Sequence, residues 1–218
     1  MSDLAITQLE ITGQDGQPIR NEFFRQPGTA DELAVLFPGL RYTCDMPLLY
    51  YTTRLLLERG ADVLQLHTDY NRLDFETAAP LARAQWIGAD ALAGLLAGQS
   101  QRSYTRLVLV GKSIGTLAIG FLLAGGAASQ AATIWLTPLL HQPLLVQAAC
   151  LCNGPALFAV GESDSTYDAQ ALGRIQQATG AQVVMLPGAN HSLEVPGDPQ
   201  HSIRHLGVVM EAITRILA

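Results

Sequence analysis

Cysteine, aromatic side chains and charge are all scarce in this chain, and each shortage removes a class of protein. Its three cysteines, Cys44, Cys150 and Cys152, are an odd number with no framework spacing, which excludes a disulfide-stapled scaffold. They suit a reducing cytosol, where a thiol packs as a small hydrophobe, so a cytoplasmic location is expected. Cys150-x-Cys152 is one residue short of the usual redox or zinc pair, and no metal or other cofactor is expected. Charged residues make up 15% of the chain, and 13 basic against 19 acidic ones leave a formal net charge of −6. No lysine or arginine cluster offsets that balance, which argues against a nucleic-acid partner. The opening Met-Ser-Asp-Leu-Ala-Ile-Thr lacks a basic region leading into an apolar run, so no secretory signal is expected. Repeats, low-complexity tracts and linkers are absent too.

What the chain does have is apolar surface to bury. Hydrophobic residues make up 49% of its 218 residues, enough for a single domain over 1–218 with a large core. Residues 107–128 carry only one charge, Lys112. As a membrane span they would place that lysine near mid-bilayer and break at Gly111 and Gly115. A core strand followed by a core helix explains the same hydrophobicity, so no membrane insertion is expected.

The rest of the chain alternates short apolar runs with longer helical patterns. Residues 4–12 and about 19–26 alternate apolar and polar positions around Gly13-Gln14-Asp15-Gly16, which predicts a half-exposed edge hairpin. Compact runs at Leu33–Phe37, Val63–Leu66, Leu107–Val110, Thr133–Leu136, Ala156–Val160 and Val183–Leu186 suit central strands. Helical patterns lie at about 46–59, 75–98, 114–124, 141–150, 168–179 and 200–217, with Gly60 and Gly180 where C-caps belong. Such alternation implies right-handed crossovers and a mostly parallel sheet covered on both faces. Ligands in such sheets bind at the carboxyl ends of the strands, so function belongs in the loops after each run.

The loop after Leu107–Val110 reads Gly111-Lys112-Ser113-Ile114-Gly115. A strand running straight into Gly-x-Ser-x-Gly presents a serine on a sharp turn, with a helix N-terminus behind it. The phosphate-loop motif also ends in Gly-Lys-Ser, but it requires a glycine where Arg106 stands. A structural serine in a buried turn is the bland reading of this segment alone.

A serine nucleophile needs a histidine base, and the base needs a carboxylate. Asp164 follows Ala156–Val160 in Gly161-Glu162-Ser163-Asp164 and is the expected acid; Glu162 lies too close to the strand end, and Asp168 reads as a helix N-terminal acid. His191 follows the last strand in Pro187-Gly188-Ala189-Asn190-His191 and is the expected base. His67 and His141 also follow strands but precede Asp164 in the chain. His201 and His205 have metal-compatible helical spacing without a third ligand, and a solvated helix face is the preferred reading. Oxyanion donors are expected from the backbone N–H groups of Ile114 and of Leu40, in Phe37-Pro38-Gly39-Leu40-Arg41. A purely structural Pro-Gly turn competes with the latter.

With these residues in order, the chain resembles an α/β-hydrolase over nearly its whole length. The resemblance rests on Phe37-Pro38-Gly39-Leu40, Gly111-Lys112-Ser113-Ile114-Gly115, Gly161-Glu162-Ser163-Asp164 and Asn190-His191-Ser192-Leu193-Glu194. It implies a three-layer fold with a mostly parallel eight-stranded sheet, an antiparallel second strand and helices on both faces. The segment from Thr137 to Ala156 is too short for a large lid, as in the small group around dienelactone hydrolase and related esterases. Phe37-Pro38 and Lys112 depart from the residues more usual at their positions, which weakens any transfer of substrate. The expected activity is cleavage of a small ester or thioester through Ser113, His191 and Asp164. A non-catalytic binding or scaffold module of the same fold is the alternative. Arg41, Tyr42 and Lys112 stand beside the expected site and could favour an acid-bearing substrate, with solvated rim residues the competing view. A homodimer through a sheet edge or surface helix is compatible with this reading.

Overall fold

The computed structural model describes residues 4–218; the first three residues of the opening segment lie outside it. The elements run β1 (Ala5–Thr7), β2 (Asn21–Arg25), β3 (Glu32–Phe37), α1 (Pro47–Glu58), β4 (Asp62–Leu66), α2 (Leu73–Thr77), α3 (Pro80–Gln99), β5 (Arg106–Lys112) and α4 (Gly115–Ala124). They continue with β6 (Ala132–Leu136), α5 (Pro143–Ala149), β7 (Ala156–Gly161), α6 (Ala169–Thr179), β8 (Gln182–Leu186) and α7 (Pro199–Ile216).

All eight strands form one sheet in the order β1-β2-β4-β3-β5-β6-β7-β8. β2 is antiparallel to both its neighbours, and every other pairing is parallel. The connection from β3 leads to one side and that from β5 to the other, so the topological switch point falls between these two strands. Their register sets Phe37 beside Gly111, which brings the loops after β3 and β5 together at the same edge.

Parallel strands buried on both faces explain the uninterrupted apolar runs. Alternation along β3 sends Leu33, Val35 and Phe37 to one core and Ala34 and Leu36 to the other. The first core lies under α3 to α6 and includes Trp135 and Phe158, whose rings stack 5.1 Å apart. The second lies under α1 and α7, around Leu49, Leu56, Val108, Val110, Val209 and Ile213. α4 packs against the sheet, α3 and α5, which accounts for its apolar sequence. Among the described residues no helix is long and apolar enough to cross a membrane.

Two expectations change in detail. The edge hairpin forms with a shorter first strand: β1 pairs with β2 only over Ala5–Thr7, and Thr12 bridges Pro18 across the turn. The helix read over 75–98 is two helices. Pro80 starts α3 at its first turn, Ala79 before it is extended (φ −60°, ψ 150°), and Ala78, extended as well, ends α2. Gly180 terminates α6 in the left-handed region as its position implied.

At the opposite sheet edge from the switch-point loops, Asp62 is fully buried. Its carboxylate accepts from the Gln26 N–H (2.7 Å) and the Tyr104 hydroxyl (2.7 Å) and faces Arg102 Nε at 3.0 Å. Removing one member of such a buried set strands the others. Asp62→Ala is therefore expected to lower unfolding free energy by about 3–5 kcal/mol, read by urea denaturation.

Candidate active site

Ser113 stands at the end of β5 with φ 53°, in the left-handed region that a side chain occupies at a cost of about 1–2 kcal/mol. Its N–H donates to the Leu136 carbonyl (3.0 Å), which ties the turn to β6. The motif's glycines have a measurable reason. A Cβ on Gly115 would stand 2.1 Å from the Phe37 carbonyl oxygen and 2.6 Å from that of Pro38. Only a glycine lets α4 press its first turn against the backbone of the loop after β3.

His191 Nε2 lies 2.7 Å from Ser113 Oγ, and His191 Nδ1 lies 2.8 and 3.0 Å from the Asp164 oxygens. A carboxylate only accepts, so Nδ1 carries the proton and Nε2 is free to accept from the serine hydroxyl. The acid and base loops meet because β7 and β8 end in register, Gly161 beside Leu186. A Cβ on Gly161 would fall 2.3 Å from the Ala189 carbonyl oxygen, so glycine again permits the approach.

Asp164 is buried, and burial alone would raise its pKa. The hydrogen bond from His191 and those from the Thr166 N–H and hydroxyl (2.8 Å each) outweigh that penalty and hold it below the ordinary carboxylate value. Thr166 is a member of this cluster that sequence reading passed over; its place two residues after an aspartate is the spacing of an Asx turn. Asn190 is another. Its side-chain oxygen accepts from the N–H groups of Ser192 (2.8 Å) and Glu194 (3.2 Å), folding the base loop.

The two expected oxyanion donors sit on adjoining loops at the switch point. Gly39 and Tyr42 pair across a tight turn that leaves Leu40 exposed at its tip. Among the described residues the N–H groups of Leu40 and Ile114 donate to no protein acceptor. Ser113 and His191 are both partly exposed, the latter's side chain by 37%, so solvent reaches the pair. A cleft of about 500 Å³ adjoins Gly39 and Leu40 and carries Asp45, Asp69, Asp90 and Trp86.

The expected substrate contacts divide. Arg41 is exposed, as a rim residue should be. Tyr42 is partly buried, and its hydroxyl accepts the Leu48 N–H (3.0 Å). Lys112 does not reach the rim at all: it is 1% exposed, because alternation along β5 sends it to the same face as Val108 and Val110. Desolvation lowers its pKa to about 8, against the opposing pull of Asp164.

The other candidates fall outside the cluster. Glu162 accepts the Gly188 N–H (3.0 Å), and Asp168 caps α6 by accepting the Ala171 N–H (2.9 Å). His67 lines the neighbouring cleft and His141 is exposed. The His201 and His205 rings lie 4.4 Å apart on α7, but His205 is buried rather than solvated. Among the described residues no group of three or more His, Cys, Asp or Glu is arranged to hold a metal.

Neither a known family profile nor a curated protein matches the chain by sequence. Solved structures do match its fold. A dienelactone hydrolase-like promiscuous phosphotriesterase from metagenomic libraries superposes with a TM-score of 0.71 at 16% identity, covering 98% of each chain. A lidless α/β serine hydrolase of Xanthomonas campestris gives 0.68 at 18% identity, over 99% of this chain and 95% of that one. An esterase of Pyrococcus furiosus gives 0.69 at 14% identity, over 99% and 92%. The chain thus has the α/β-hydrolase fold, in its small lidless form.

A carboxyl held below its ordinary pKa stabilises the fold in full above the unfolded value, near 4, and loses that contribution as pH falls through the folded value. Asp164→Asn is expected to reduce stability by about 1.5–3 kcal/mol at pH 7. The gap from the unsubstituted chain should hold above the unfolded carboxyl value and narrow as denaturation is repeated at progressively lower pH below it.

Proposed function

We propose that the chain is a serine hydrolase acting on small ester-type substrates through a Ser113–His191–Asp164 triad. The observation that carries this reading is the unbroken line of hydrogen bonds from Ser113 Oγ through both nitrogens of His191 to a buried carboxylate. His191 Nε2 takes the hydroxyl proton as Oγ attacks the substrate carbonyl, and Asp164 stabilises the imidazolium that forms. The N–H groups of Leu40 and Ile114 hold the oxyanion, each such donor contributing about 3–4 kcal/mol to the lowered barrier. His191 then returns the proton to the leaving group, and a water it deprotonates releases the acyl group from Ser113.

An open, lidless serine suits a short or exposed acyl group more than a long lipid chain. The esterases among the similar structures support an ester bond as the target. The idea of an acid-bearing substrate has lost most of its basis. Lys112 is buried, Tyr42 is engaged with the backbone, and the adjoining cleft sets four carboxylates, Asp15, Asp45, Asp69 and Asp90, against two arginines, Arg20 and Arg72.

A fluorophosphonate probe is expected to label the chain on Ser113, and Ser113→Ala to abolish labelling and lower kcat by about 10⁴-fold or more. Absence of an adduct while a control hydrolase reacts would leave the non-catalytic binding module standing. Across short acyl esters, neutral members are expected to match or exceed acid-bearing ones in kcat/KM. A clear preference for the acids would return a role to Arg41.

A further inference from the structure

Lys112 is the only lysine in the chain, and it is almost wholly buried. Among the described residues no carboxylate lies within ion-pairing distance of it. Its ammonium instead donates to the His191 carbonyl (2.8 Å) and the Thr137 hydroxyl (2.6 Å), and it lies 5.0 Å from the centre of the Tyr42 ring. Two of the ammonium's three N–H groups thus find oxygen acceptors, and an aromatic face lies beside the charge. Its stem passes under the loop after β3, where a Cβ on Gly39 would stand 3.5 Å from Lys112 Cγ.

The surroundings carry local strain. Among the described residues, three non-glycine residues have positive φ: Ser113 (53°), Thr137 (45°) and Leu193 (61°). Ser113 follows Lys112 in the chain, Thr137 accepts its hydrogen bond, and Leu193 stands two residues beyond the carbonyl it holds. A buried charge without a carboxylate partner is a poor device for stability, since an apolar side chain of similar volume commonly does as well or better. It is a good device for holding several backbone segments in one arrangement.

We propose that Lys112 is a positioning residue, which fixes the base loop to the nucleophile strand, the end of β6 and the oxyanion loop at once. This inference rests on the serine-hydrolase reading. Lys112 touches no substrate; it acts through the placement of His191 relative to Ser113 and Leu40.

The test compares Lys112→Met and Thr137→Val with the unsubstituted chain. Each is assayed for kcat and KM on a short neutral ester, for the rate of fluorophosphonate labelling at Ser113, and for Tm. Lys112→Met keeps the stem and deletes the donors. It is expected to lower kcat and the labelling rate by about 10–100-fold, the scale of a small misplacement of catalytic groups, with KM and Tm held. Thr137→Val removes one acceptor and is expected to move kcat the same way by a few-fold. Because Lys112 is the only lysine, selective ¹³Cε-lysine labelling yields one side-chain signal, expected to shift when Ser113 is phosphonylated. Lys112→Met with kcat within about twofold of the unsubstituted chain overturns the proposal. So does a loss of kcat that merely follows a loss of Tm, which is the mark of a folding role. If Lys112→Met does not fold, Thr137→Val decides: unchanged kcat together with an unmoved lysine signal overturns the proposal. An unsubstituted chain that neither labels nor hydrolyses refutes the serine-hydrolase reading itself, and the positioning role falls with it.

Discussion

The arrangement of this protein turns on one close approach of backbone to backbone. The first turn of α4 presses against the carbonyls that end β3, with room for a hydrogen and nothing larger at Gly115. That contact forces the chain to bend sharply between β5 and α4, and Ser113 takes up the bend in a left-handed conformation. The same contact sets the loop after β3 beside the N-terminus of α4, so the serine and the two unengaged N–H groups arrive together. Local strain at Ser113 is sustained because the flanking strand and helix are both embedded in core.

The second half of the cluster is assembled by the sheet. β7 and β8 lie beside one another in parallel, so their following loops emerge at one edge. Gly161 allows those loops to touch, and Thr166 and Asn190 give them internal hydrogen bonds. Asp164 can then be both buried and charged, because donors on three sides offset the loss of water. Between the two halves sits Lys112, whose side chain contacts both. At the other end of the sheet, at the start of β4, Asp62 gathers its own buried partners.

Much of this was legible along the chain because the relevant signals are local. β3 to β8 appear as apolar runs since both of their faces are covered, and α4 to α7 lie within a few residues of their periodic patterns. Ser113, Asp164 and His191 each stand just past a strand, and parallel strands make that position equivalent to facing one edge. The break at Pro80 was also written locally, in the restriction proline places on Ala79. Lys112 and Tyr42 were another matter. Beside a serine elbow both read as rim residues, because nothing local says which face of the strand end is roofed.

Sequence by itself determined the alternation of strands and helices, the elbow at Ser113 and the chain order of the three residues that meet there. These follow from backbone sterics and hydrophobic periodicity, which act over a few residues. Only the tertiary structure decided that Lys112 lies beneath the site rather than at its mouth, and that Ser113 and His191 stay partly exposed. Those outcomes depend on segments far apart in the chain: α1 and α7 cover one face of the sheet, and the β6 and β8 loops converge on a single ammonium. Burial of a charge is decided by what packs over it.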